Sequence, residues 1–382
     1  MIDRRRVVGA AGLAALGTTL GAATGGRAWA AEGPARWPRM RQAMAVDAMT
    51  GVDLFYVPED DPAAPKLLQH LRECGLTGAV MTAAPQGRFW LNDKAYEDTR
   101  ARIDEWKGRI DKHPDVLLLV RERADLERAN REGKVGVIFT FQGTEPLGED
   151  LDRITSFREQ GVRMIQLTHN RRNLVGDGAL EAGDAGLSNY GRQVVERLNA
   201  ERIVVDLSHG SPRTIREGIL ASKAPVLVGH SGCRALADAS RLTSDESLKL
   251  LADRGGVVGI IFWPYLRVQG QQTSADVIRH LEHAVKVCGE DHVGIGTDLG
   301  ISPIELTPEF AKDSLDTVKD MISQGIFAKD RSPEMTLFPP DLNVPNRFET
   351  LAAKLSARGW PDARIEKILG ANFARVMGEV WG

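Results

Sequence analysis

The chain has 382 residues, 42% of them hydrophobic and 26% charged, with a formal net charge of −3. That is ordinary globular composition, and so even a charge balance gives no sign of a nucleic-acid-binding surface or a strongly membrane-attracted one. The three cysteines, Cys74, Cys233 and Cys288, show no CxxC spacing, so they supply neither a disulfide framework nor a cysteine metal knuckle, and free packing thiols are expected.

The chain opens on Asp3-Arg4-Arg5-Arg6-Val7-Val8, continues through a mild Ala/Gly/Leu run to Gly26, and reaches Ala28-Trp29-Ala30. A basic start, a weakly apolar stretch and a small-x-small cleavage site make residues 1–30 a secretory signal, and the arginine pair makes it of the twin-arginine type. Gly and Thr interrupt the apolar run, so no stable membrane insertion is expected. The expected location is periplasmic or extracellular. Twin-arginine cargo is exported folded, often with its cofactor in place, which favours a cofactor-dependent protein. The chain beyond the signal, residues 31–382, reads as a single domain.

Eight short apolar runs follow: Met44–Met49, Thr77–Thr82, Val135–Phe141, Arg163–Thr168, Arg202–Ser208, Pro225–His230, Gly256–Phe262 and His292–Thr297. Helical patterns at Pro65–Cys74, Asp98–His113, Glu149–Gln160, Leu187–Ala200, Pro212–Ala221, Ser244–Arg254 and Ser274–Val287 separate most of them. This alternation predicts a (β/α)8 TIM barrel. A doubly wound open sheet would usually show a Gly-rich phosphate turn after its first strand, and none is present. The second βα unit is long, with Phe89–Asn92 read as part of a cover loop. Pro303–Leu342 reads as an insertion over the barrel mouth, and the chain ends in helices at Arg347–Ala357, Asp362–Leu369 and Ala371–Val380.

Side chains at the C-terminal ends of barrel strands converge on one mouth. The fourth predicted strand exits in Thr168-His169-Asn170, the fifth in Ser208-His209, the sixth in Gly229-His230-Ser231 and the eighth in Gly296-Thr297-Asp298. Three of the eight histidines and a carboxylate thus share one end of the barrel. The other five histidines, His70, His113, His280, His283 and His292, fall on helices, at helix ends or at a strand start, where a solvated or capping role is expected.

The chain resembles the membrane (renal) dipeptidase family, zinc peptidases of the amidohydrolase-like barrels. The similar segments are Gly143–Gly148 with Leu151-Asp152-Arg153, Gly161–Asn170, Asp206–Ser211, His230-Ser231 with Arg234-Ala235-Leu236, Arg241, Gly255–Val258, Asp291–Asp298 and Ile368–Phe373. They run in order over essentially the whole chain beyond the signal. The resemblance implies a two-zinc site. A His-x-Asp pair after the first strand holds one ion, a glutamate after the third bridges both, and histidines after the fifth and sixth hold the other. A bridging hydroxide attacks the amide carbonyl.

Carried over position by position, the resemblance makes His209 and His230 metal ligands and Asp298 the catalytic acid/base and a further ligand. It makes His169 the oxyanion-binding, catalytic and substrate-contacting histidine, and Arg241 the group that binds the substrate carboxylate. It also exposes three departures. Met49 and Gly51 stand where the His-x-Asp pair belongs, and Gln142 stands where the bridging glutamate belongs. Two Zn²⁺ ions in one pocket need carboxylates around them, and a thioether does not replace an imidazole on zinc. The expectation is therefore one zinc at most, or none. Its ligands would be His209, His230 and Asp298, a stoichiometry equally suited to a 2-His-1-carboxylate iron. Asp47, Asp53 and Glu145 are candidate substitute carboxylates, with hydrogen bonding or a solvated loop charge as their simpler roles.

Three readings follow. The first is an exported dipeptidase-like hydrolase of a dipeptide or small amide with an incomplete dinuclear site. The second is a repurposed enzyme using His and Asp acid/base groups in peptide or secondary-metabolite maturation. The third is a catalytically dead binding barrel. All three take a small peptide-like partner, and the resemblance is compatible with a homodimer.

Overall fold

The computed structural model describes residues 36–84, 94–327 and 329–382; the signal at 1–30 and the cover loop at Phe89–Asn92 lie outside them. Strands β1 (Val46–Gly51), β2 (Gly78–Thr82), β3 (Leu117–Leu119), β4 (Val135–Thr140), β5 (Met164–Gln166), β6 (Val204–Asp206), β7 (Leu227–Ser231), β8 (Val257–Ile260) and β9 (Val293–Ile295) form one sheet in the order β3-β4-β2-β1-β9-β8-β7-β6-β5. A two-residue β10 (Leu299–Gly300) pairs with β1. All the ladders are parallel. Short β-branched runs buried on both faces are what such a sheet requires.

The open edges of the sheet meet. Phe139 bridges Val162 and Gln142 bridges Gln166. The Arg163 N–H donates to Phe139 O at 3.1 Å and the Gln166 N–H to Phe141 O at 3.0 Å. The last half of β4 therefore returns to β5, and the eight predicted strands close as a (β/α)8 barrel. β3, which the sequence pattern did not mark, pairs only with the first half of β4.

The helices are α1 (Ala64–Glu73), α2 (Ala95–Lys112), α3 (Arg123–Glu132), α4 (Asp152–Gln160), α5 (Asn189–Ala200), α6 (Pro212–Ala221), α7 (Asp245–Asp253), α8 (Ser274–Cys288), α9 (Pro308–Ser323), α10 (Arg347–Ala357), α11 (Asp362–Glu366) and α12 (Asn372–Trp381). Their starts follow capping chemistry. The side chains of Ser188, Ser211 and Ser244 each accept a hydrogen bond from the backbone of the helix they precede, and Thr273 forms a capping box with Asp276. Two helices were not read from the sequence: α3, inside the long second unit, and α9, inside the 303–342 insertion. Among the described residues no helix is long and apolar enough to cross a membrane. Cys74, Cys233 and Cys288 are free and buried, as expected.

The barrel is plugged at the end opposite the mouth. Phe373, Val376, Met377, Val380 and Trp381 of α12 cluster with Val46, Val80, Ile138, Met164, Val204, Leu227 and Val257, contributed by β1, β2, β4, β5, β6, β7 and β8. Chemistry is thereby confined to the other end. There, irregularities in strand register fall between Asp47 and Thr50 in β1 and between Val228 and Ser231 in β7. Such breaks re-aim side chains, and they bracket Met49 and His230.

Candidate active site

His209 and His230 leave adjacent strands, β6 and β7, and their rings converge. His209 Nε2 lies 2.9 Å from His230 Nε2, and the ring centroids are 4.9 Å apart at 61°. Both are buried. His209 Nδ1 lies 2.7 Å from Asn170 Oδ1. A carboxamide oxygen only accepts, so the Nδ1 carries the hydrogen and the Nε2 presents a lone pair. Burial, then the nearby Arg241 cation, holds the His209 imidazole well below its ordinary pKa, so it is neutral. His169 stacks on it, with centroids 4.1 Å apart at 25°.

Gln142, at the end of β4, places its Nε2 3.2 Å from His230 Nε2, while its Oε1 is buried with no hydrogen-bond partner. With His209 Nε2 bare, something positive must lie between the two imidazoles. A hydrogen on His230 Nε2 meets that need. Turning the Gln142 carboxamide over then brings its orphaned oxygen to the same N–H.

Arg241 is buried in the loop after β7. Its carbonyl accepts from Ser231 Oγ at 2.9 Å, its guanidinium reaches His230 O at 3.4 Å, and it faces the Tyr265 ring at 5.8 Å. Asp298 leaves β9 with φ 57°, and His209 has φ 62°. Both are left-handed positions, unfavourable for residues other than glycine and typical of functional sites. The Asp298 N–H donates to Met49 O at 2.7 Å, and Trp263 Nε1 donates to Asp298 O at 2.8 Å. The structure thus brings His169, His209, His230 and Gln142 into one cluster. It sets Met49 and Gly51, both buried on β1, beside the Asp298 backbone.

The candidate substitute carboxylates have other partners. Asp47 accepts from the Thr297 N–H at 2.8 Å, the Thr297 hydroxyl at 2.6 Å and the Met49 N–H at 3.3 Å, tying β1 to β9; burial pushes its carboxyl up to about 7. Asp53 accepts from the Ser302 N–H. Glu145 receives Asn173 Nδ2 at 3.4 Å, and burial raises its pKa.

Among the described residues no three His, Cys, Asp or Glu side chains are grouped to hold a metal ion. Met49, Gly51 and Gln142, where the resemblance puts the ligands of a first zinc, carry no anionic or imidazole donor. His209 and His230 alone are one ligand short of the usual three of a catalytic zinc.

Sequence reasoning missed four residues here. Asn170, which orients His209, directly follows His169 at a strand exit, and that adjacency was the available signal. Trp263 and Tyr265 lie just past the seventh predicted strand and form one wall of the site. His280 was assigned a solvated or capping role, but it is fully buried. Its Nδ1 accepts the Cys233 N–H at 3.0 Å, and its Nε2–H donates to Leu266 O at 2.9 Å. It pins the loop that leads to Arg241 against the turn that carries Tyr265.

Comparison with known proteins agrees with this architecture. A dipeptidase verJ from Clonostachys rogersoniana is 29% identical over 293 residues, 75% of this chain and 67% of that protein. A dipeptidase tcpJ from Claviceps purpurea is 27% identical over 341 residues, covering 86% and 72%. The crystal structure of an amidohydrolase from Pseudomonas aeruginosa superposes with a TM-score of 0.74 at 29% identity, covering 90% of this chain and 98% of that one. The model of the membrane dipeptidase family, peptidase family M19, matches residues 58–325. The chain belongs to the membrane dipeptidase family.

Proposed function

We propose that this protein is an exported hydrolase of a dipeptide or another small amide, with a degenerate metal site that holds one ion at most. The observation that carries the reading is the meeting of His209 and His230 Nε2 at 2.9 Å, with neutral Gln142 against them and buried Arg241 alongside. Arg241 anchors a substrate carboxylate by charge-assisted hydrogen bonds. His169, half-exposed over His209, faces the carbonyl oxygen that becomes negative. Asp298 takes the proton of the attacking water and returns it to the leaving amine. Asn170 and Gln142 fix the hydrogens on the histidine pair.

A second reading, a repurposed enzyme that uses the histidines and Asp298 as acid/base groups in peptide or secondary-metabolite maturation, is favoured by the contact of Gln142 with His230. A carboxamide orders an imidazole without supplying the charge that a metal pair requires.

Metal analysis of the exported protein, together with assays on a dipeptide panel, tests both readings. One equivalent of metal or less is expected, and two equivalents of zinc would overturn the degenerate-site reading. The triple variant Met49→His, Gly51→Asp, Gln142→Glu should bind additional zinc. If only that variant cleaves dipeptides, the repurposed-enzyme reading replaces the hydrolase one.

A further inference from the structure

Four arginines are buried among the described residues: Arg163, Arg241, Arg331 and Arg347. Burying a guanidinium is costly unless its donors are met. Two of the four are well met. Arg163 donates to Arg121 O, Arg158 O and Val162 O at 2.5–2.9 Å. Arg347 donates to Gly300 O at 2.8 Å and Ile301 O at 3.2 Å, with Ser302 O and Val344 O both at 3.4 Å.

The other two are not. Arg241 has one long contact, to His230 O at 3.4 Å, and Arg331 has one, to Gly270 O at 3.5 Å. The Nε of each is buried without a hydrogen-bond partner, and neither forms an ion pair among the described residues. Arg331 also feels the repulsion of Arg267, whose own charge is taken up by Asp276.

These two under-satisfied cations flank the same wall. Tyr265 lies 5.8 Å from the Arg241 guanidinium. Its ring is 5.4 Å from Phe327 and 6.1 Å from Trp263, and Arg331 caps the Phe327 ring at 4.4 Å. The Tyr265 hydroxyl feels both guanidiniums and the Asp298 carboxylate. The insertion carrying Phe327 and Arg331 is locked onto the loop that follows Tyr265. Gln271 donates to Phe338 O at 3.1 Å and accepts from the Thr336 N–H at 2.7 Å. The insertion is thus anchored beside Tyr265, while Arg331 itself has only the long Gly270 contact and the Phe327 ring among the described residues. A buried guanidinium with unmet donors suits an anionic oxygen pair.

We propose that Arg331 is a second anion-recognition residue of this site, so that the substrate is a small peptide or amide with two carboxylates, one for Arg241 and one for Arg331. The inference rests on the small-amide reading above, and it narrows the substrate to an acidic one.

The test is calorimetric binding of Ala-Glu and Glu-Ala, each against its neutral isostere Ala-Gln or Gln-Ala, to the purified protein and to Arg331→Met and Arg331→Lys. The wild type should prefer the Glu member of at least one pair by about tenfold or more. Arg331→Met should bring that ratio to within about twofold, and Arg331→Lys, which keeps the charge but loses the fork, should fall between. Without peptide, Arg331→Met should melt at a higher temperature than the wild type, because it removes an uncompensated buried charge. Equal binding of the acidic and neutral peptides, or a preference that survives in Arg331→Met, overturns the inference and leaves the small-amide reading standing. If none of the four peptides binds, the inference falls together with the dipeptide form of the small-amide reading.

Discussion

His280 shows how a single side chain supports a site it never touches. It joins Cys233 to Leu266 inside the fold, where burial drives its pKa down to about 4 from the ordinary 6.5. A folded-state pKa below the unfolded one means that the unfolded chain binds more protons between those values. The stability from neutral His280 is therefore complete above about pH 6.5 and is lost progressively as the pH falls toward 4. We expect the stability advantage of the wild type over His280→Gln to shrink across that window, by up to about 1.4 kcal/mol per pH unit, measured by urea denaturation at stepped pH. A constant difference would show that His280 is not buried neutral. The sequence reading misjudged this residue because helical position alone does not tell which face of α8 lies against the barrel.

At the scale of elements, the strands and most helices follow from hydrophobic period and from caps such as Ser188, Ser211 and Ser244. The two missed helices have local reasons. α3, Arg-Ala-Asp-Leu-Glu-Arg-Ala-Asn-Arg-Glu, buries only Leu126 and Ala129, too few apolar positions to show a period. α9 sits between prolines that read as loop. Close packing also constrains the strands. A Cβ on Gly296, just past β9, would fall 2.0 Å from Gly229 O of β7, so that close approach requires glycine at position 296. The terminal helix α12 closes the barrel floor, where its Phe373 is fully buried. Phe373→Ala should cost about 3–5 kcal/mol, read from the denaturation midpoint; a loss below about 1 kcal/mol would mean that α12 is not the plug.

For the whole molecule, the twin-arginine signal reading leads to a prediction about export. The processed chain should be recovered outside the cytoplasm, and replacing Arg4 and Arg5 with lysine should retain the precursor inside; export that ignores the pair would point to a different route. The sequence by itself determined the order of βα units and the closed parallel sheet they make. Those properties are local or periodic, carried by residues near one another in the chain. Only the tertiary structure decided that Asn170 orients His209, that Gln142 meets His230, and that Arg331, 90 positions beyond Arg241, shares its aromatic wall. Each of those depends on loops from separate βα units reaching one mouth, and on which buried charges find partners once they arrive.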